Sequence, residues 1–347
     1  MNYAKAIAIV TAFAAMGTIG EAAVASADAP HSSSAKTTPS EQTPVEQFGA
    51  LSVTGNRITD ASGRAIALSG VSHFWSNSNW GQEGLYTAEA VDYFADEWDA
   101  SLFRAAMGVD AGGGYLEDKA NEVRTRKVID AAIEKGAYVL IDWHSHHAED
   151  HPDEAVKFFT RMAEIYGDKP NVIYEIYNEP LNISWSDTLK PYSEKVIAAI
   201  RKVDPDNLII VGTPNWSQDV DVAAKDPIQG YNNIAYTMHF YAGTHREELR
   251  KKTQAALDAG LAIFVTEWGA INANGDGDVD AASVAEWFQF LDKNCLSSAN
   301  WAVSTKKEGA SIFKSSTPQT GPWTDRDLTA SGKLVKGIVH GGTRICG

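Results

Sequence analysis

Cysteine is almost missing from this chain. Cys295 and Cys346 are its only two among 347 residues, too few to line a zinc site. Long apolar runs are also missing. The one candidate, Ala6 to Ile19, falls short of the roughly 20 residues a membrane span needs. Basic charge is in deficit, with 30 Lys and Arg against 45 Asp and Glu and a formal net charge of −15. That balance argues against nucleic acid or an anionic membrane as partner. No Gly-rich phosphate-binding turn follows the first strand candidate, which removes the usual mark of a doubly wound nucleotide-binding sheet. No internal repeat of fixed period is visible either.

What is present at the N-terminus reads as an export signal. Lys5 supplies the positive end, Ala6 to Ile19 the apolar segment, and Ala25-Ser26-Ala27 a small-residue cleavage site, so residues 1–27 are expected to be removed after Ala27. The mature chain is then a secreted protein, with no membrane association once the signal is cleaved. Residues 28–47 are rich in Ser, Thr, Pro and Glu, with Val45 the one large apolar residue. They cannot bury enough surface to fold and read as a disordered spacer. Residues 48–347 remain for one folded domain. Export makes a Cys295–Cys346 disulfide the natural reading of the two cysteines. In the chain-entropy model, closing a loop of about 50 residues contributes roughly 4 kcal/mol.

The folded part opens with a short β-hairpin expected over 51–68. Eight strand candidates then follow at 66–71, 101–107, 137–143, 172–177, 208–213, 234–241, 261–266 and 300–304. Helical periodicity lies between them at 88–97, 121–135, 152–166, 191–203, 246–259 and 281–293. Strict alternation predicts an α/β fold, a (β/α)8 TIM barrel. In such a barrel, active sites are built at the C-terminal ends of the strands. Polar and aromatic residues gather there: Arg104, Asp142 with His144, Asn178 with Glu179, His239 with Tyr241, Glu267, and Trp301. A barrel interior calls for apolar fillers, so polar residues repeated at one end of six strands are not explained by packing. Two carboxylates on one rim are the equipment of glycoside hydrolysis.

Ile-Tyr-Glu-Ile-Tyr-Asn178-Glu179-Pro180 and Phe-Val-Thr-Glu267-Trp268-Gly269 resemble the acid/base and nucleophile strands of glycoside hydrolase family 5 cellulases. Leu-Phe-Arg104, Asp142-Trp-His144 and Met-His239-Phe-Tyr241 extend the resemblance, in order, over roughly 47–342, and toward the bacterial secreted endoglucanases. The resemblance implies a retaining endo-β-1,4-glucanase that needs no cofactor and no metal, acts as a monomer and takes β-1,4-glucan as substrate. Glu179 would be acid and then base, and Glu267 the nucleophile. Glu267 should stay ionised beside Arg104 and Tyr241. Glu179 should hold a proton, which calls for an apolar setting and the field of Glu267. Asn178 is suited to the sugar 2-hydroxyl, while His144 and His239 would position the sugar and the acid. Trp301 and Trp216 would be platforms on either side of the cleaved bond, with Lys306 and Glu308 at a more distant sugar. His73, Trp75 and Trp80 follow the first strand and are weaker candidates for the cleft wall. A β-mannanase, xylanase or licheninase on the same barrel is the alternative in substrate, and a non-catalytic glucan-binding protein the alternative in class.

Two further motifs compete for attention. His144, His146, His147 and His151 crowd one segment, but they follow a strand rather than share a helix face. They read as a surface loop with His144 its one cleft residue. The segment from Asn272 to Asp280 begins like an EF-hand loop, yet Ser283 stands where the bidentate Glu belongs. Any calcium there would be structural.

Overall fold

The computed structural model describes residues 42–347, so the expected signal segment and most of the expected spacer lie outside the described residues. The last residues assigned to the spacer do not. Pro44–Phe48 forms a short helix, α1, because Thr43 and Glu46 make a reciprocal capping box and Pro44 occupies the first turn. Its Val45 and Phe48 join an apolar cluster, which moves the start of folded chain back from Phe48 to about Thr43.

The expected hairpin is instead two successive pairings. Strands β1 (Ser52–Thr54) and β2 (Arg57–Thr59) pair antiparallel across Gly55-Asn56. The chain then turns at Asp60, whose carboxylate accepts from the amides of Ser62 and Arg64. It continues into β3 (Ile66–Ala67), which pairs with the C-terminal strand Arg344–Ile345 rather than staying in the hairpin.

The eight strands that follow close a parallel barrel in chain order. They are β4 (Ser69–His73), β5 (Leu102–Gly108), β6 (Tyr138–His144), β7 (Val172–Glu175), β8 (Ile209–Val211), β9 (Ile234–Tyr241), β10 (Ile263–Gly269) and β11 (Ser298–Val303); the C-terminal Arg344–Ile345 is β12. The (β/α)8 expectation holds, although the first barrel strand starts at Ser69 because Leu68 separates it from β3. Helices between the strands match the periodicity closely: 88–98, 120–134, 152–166, 190–201, 247–258 and 281–294. The sequence reading lacks Ala330–Val339, a final helix begun by a Thr329 cap. Its Gly332 and Gly337 weaken the helical signal.

Period-two alternation divides each strand between two cores. Phe103, Ala105, Val139, Ile141, Trp143, Val172 and Tyr174 join the surrounding helices in one cluster. Leu102, Tyr138, Leu140, Ile173, Ile210 and Phe264 fill the barrel interior, together with Phe48, Leu51, Ile58 and Ile66 from the N-terminal segment. That segment therefore plugs the end of the barrel where the strands begin. The other end is left for polar residues. Cys295 and Cys346 are joined in a disulfide with a Cα–Cα distance of 6.0 Å, holding the tail beside β3. Among the described residues no helix is long and apolar enough to cross a membrane.

Candidate active site

The interior row of each strand changes character at its C-terminal end. On β6 it reads Tyr138, Leu140, Asp142, His144, and on β5 Leu102, Arg104, Ala106. Arg104 is wholly buried, and a buried guanidinium must be paired on every side. Its Nε and Nη2 donate to Glu175 at 2.7 and 3.1 Å, Nη1 donates to Glu267 at 2.8 Å, and Nη2 donates to Asn178 Oδ1 at 2.7 Å. Asp142 lies 3.0 Å from Nη2. One cation thus gathers three carboxylates and the amide of Asn178 from β6, β7, the β7 loop and β10.

Strand β10 departs from strict alternation. Phe264 lies opposite Thr237 and Glu267 opposite His239, so β10 carries one extra residue at a bulge. The bulge lets two successive residues, Thr266 and Glu267, both reach into the barrel. Thr266 donates to Glu175 at 2.6 Å and bonds His239 Nε2 at 2.8 Å. Glu267 meets Arg104 on one oxygen and accepts from the Tyr241 hydroxyl at 2.6 Å on the other.

His239 has a protonation state that follows from its partners. Since Thr266 gives its proton to Glu175, it accepts from His239 Nε2. Nδ1 faces Glu179 at 2.9 Å, so both ring nitrogens carry hydrogen. Burial works against this cation, but Glu267, Glu175 and Glu179 outweigh it and raise the pKa to about 9.

Glu179 is flanked by two imidazoles: His239 on Oε1, and His146 Nε2 on Oε2 at 3.1 Å. This corrects the apolar setting expected for it. Burial pushes the carboxyl up, but the hydrogen bonds from His146 and His239 prevail and draw it down to about 2. Glu267 moves the other way: burial and the Glu179 charge raise it against the pull of His239, Arg104 and Tyr241. One oxygen of Glu179, one of Glu267 and one nitrogen of His239 all lie within 4.8 Å of one another.

Around this centre the remaining candidates separate. His144 binds Asp142 through Nδ1 at 2.6 Å and stacks parallel to Trp301 at 5.0 Å; burial keeps it neutral, well below the usual histidine range. Trp75 stands edge-on to His144 at 4.1 Å, and Trp80 packs beside Trp75. Trp216 is 42% exposed, presented by three successive left-handed residues, Asn215, Trp216 and Ser217. That backbone is uncommon outside glycine. Amide bonds from Asn215 to Leu181 and from Trp216 to Pro180 hold it in place. Trp216 shares a cavity of about 320 Å³ with Glu179, His146, His239, Tyr241 and His245. Lys306 pairs with Glu308 at 2.6 Å and lies over the Phe74 ring.

His73 does not join the site. It is wholly buried against Tyr86, with neither ring nitrogen hydrogen-bonded. Burial lowers its pKa to about 4. In the segment from Asn272 to Asp280, Asn274 Oδ1 accepts from the Asp276 amide, and Asp276 Oδ1 accepts from those of Gly277 and Gly309. These oxygens serve the loop's own backbone.

Three residues were missed. Glu175 sits inside an apolar-looking run, though its place in the interior row, two after Ile173, was a usable signal. Thr266 is hidden because alternation alone turns it away from Glu267. His146 looks like one more loop histidine until the fold brings it to Glu179.

Residues 59–307 match the profile described as Cellulase (glycosyl hydrolase family 5). The chain belongs to this family. Curated members of family 5 agree. Endoglucanase Z of Dickeya dadantii is 54% identical over 291 residues, covering 84% of this chain and 66% of that protein. An endoglucanase of Clostridium saccharobutylicum is 41% identical, covering 84% and 65%. The chain thus spans about two thirds of the length of these relatives. Among solved structures, one from Cytophaga hutchinsonii has 46% identity and a TM-score of 0.83, covering 86% of this chain and 96% of that one. The catalytic domain of Thermobifida fusca endoglucanase Cel5A has 32% identity and a TM-score of 0.81, covering 86% and 99%. A variant of that domain is known in complex with cellotetraose.

Proposed function

We propose that this family 5 chain is a retaining endo-β-1,4-glucanase, with Glu267 as nucleophile and Glu179 as acid and base. The observation that carries the proposal is the spacing of the two carboxylates, with oxygens no more than 4.8 Å apart. Retaining pairs stand roughly 5–5.5 Å apart, while inverting pairs need about 6.5–9.5 Å to admit a water between them. A Glu267 oxygen attacks the anomeric carbon as the bond to the leaving oxygen breaks and Glu179 passes that oxygen a proton. In the second step Glu179 takes a proton from water, whose oxygen displaces Glu267 from the sugar.

The surroundings suit these roles. Arg104 and Tyr241 aim one hydrogen bond at each Glu267 oxygen, so the free lone pairs are restricted in direction. Asn178 spends its Oδ1 on Arg104 and leaves Nδ2 buried without a partner. A buried donor left open is costly, and a sugar hydroxyl beside the anomeric carbon would satisfy it. Trp301 and Trp216 offer flat faces for pyranose rings, and relatives named endoglucanases point to internal cleavage of glucan. The export signal of residues 1–27 and the disulfide support a secreted protein, acting as a cofactor-free monomer.

The test is reducing-end release from carboxymethylcellulose, with mannan and xylan in parallel. Wild type should cut the cellulose derivative, and Glu267→Gln should lose about 10³-fold or more. Early products should keep the β-anomer by NMR. Inverted product would remove the retaining mechanism, cleavage of mannan or xylan alone would change the substrate, and binding without turnover would favour a glucan-binding protein.

A further inference from the structure

His146 is half-exposed on the loop after β6, and the loop is built rather than loose. Its carbonyl accepts from the Tyr177 hydroxyl at 2.9 Å. Ser145, the preceding residue, binds Asp110 at 2.9 Å and accepts from the His147 amide at 2.9 Å. The Ser145 carbonyl in turn receives the Glu179 amide at 3.2 Å. Trp75 meets the imidazole face edge-on at 5.6 Å. The ring is thereby aimed at Glu179 Oε2 from the side of the cavity that also holds Trp216.

The two imidazoles on Glu179 are not equivalent. His239 is buried and pinned by Thr266, so Oε1 is permanently occupied. His146 faces solvent on one side, with 36% of its side chain exposed, so its bond to Oε2 can open. A carboxyl with both oxygens engaged cannot reach a glycosidic oxygen. Oε2 is the oxygen that can be released.

Resting on the acid/base assignment of Glu179, we propose that His146 is a positioning residue for the acid step, orienting Oε2 and yielding it to the glycosidic oxygen when the leaving sugar enters beside Trp216. It keeps the carboxyl plane fixed in the empty cleft and restricts the path by which a proton reaches the leaving group.

Leaving-group dependence tests this. We would measure kcat/KM, which reports the glycosylation step, on cellopentaose and on 2,4-dinitrophenyl β-cellobioside, whose leaving group needs no proton. Wild type, His146→Ala, His146→Gln and Glu179→Gln would be compared, with melting temperatures to establish folding. A hydrogen bond to a charged group predicts a loss of about ten- to a hundredfold for His146→Ala on cellopentaose, at least fivefold larger than on the activated glycoside. His146→Gln, which keeps an amide donor, should recover part of it. Equal losses on both substrates, or none on either, would overturn the proposal. If Glu179→Gln shows the leaving-group dependence and His146→Ala does not, His146 alone is misassigned. If Glu179→Gln lacks it too, the acid assignment fails and the His146 proposal falls with it.

Discussion

Arg104 and the carboxylates around it set the terms at the scale of single residues. Removing one partner of a buried ion network leaves charge uncompensated. Glu175 touches Arg104 twice and Thr266 once, so Glu175→Gln should cost about 3–5 kcal/mol, read from denaturant midpoints. Two histidines give stability a dependence on pH of opposite sign. For His239 the folded pKa is raised from 6.5 to about 9. Its contribution is whole below pH 6.5 and is lost as pH rises through 9. For His73 the folded pKa is lowered from 6.5 to about 4. Its contribution is whole above pH 6.5 and is lost as pH falls through 4. Thermal stability should therefore be greatest near pH 6.5. His239→Gln should flatten the alkaline side and His73→Phe the acid side. An unchanged profile in both variants would refute the assignment.

Among the elements, the ends of the domain are the ones held by tertiary contact alone. Strand β12 is two exposed residues paired to β3, too little to persist by itself. The Cys295–Cys346 bond closes a separation of 51 residues, and in the chain-entropy model its removal costs about 4 kcal/mol. Cys346→Ser should lower the melting temperature and expose the β12 amides to hydrogen exchange while leaving activity at the far end of the barrel. Only the Thr43–Glu46 box and the apolar contacts of Val45 and Phe48 anchor α1. Those contacts were invisible while the segment was read for composition, since one large apolar residue in twenty looks like a spacer until Phe48 is counted with it.

For the whole molecule, the net charge of −15 predicts how polysaccharides of different charge are met. Carboxymethylcellulose is anionic and is repelled over about a Debye length, roughly 10 Å at 0.1 M salt. Raising salt from low ionic strength should speed its cleavage relative to a neutral soluble glucan; equal salt responses would show that repulsion is negligible at the cleft. The barrel itself was legible in the sequence because eight buried strands and the helices between them carry distinct periods, and local burial needs only local pattern. Glu179 and Glu267 were legible because charge ending an apolar strand has no packing explanation. Glu175, Thr266 and His146 were not, since each acts through a partner brought near only when the barrel closes. The β10 bulge turns Thr266 inward, Arg104 gathers carboxylates from separate strands, and a loop carries His146 onto Glu179. By itself, then, the chain determined its strands, its helices and which carboxylates stand at the rim, all consequences of periodicity. Closure decided the rest: the carboxylate spacing, the exclusion of His73, and the two imidazoles that reverse the expected pKa of Glu179. Distances and fields between residues far apart in sequence exist only once the sheet has joined its own edge.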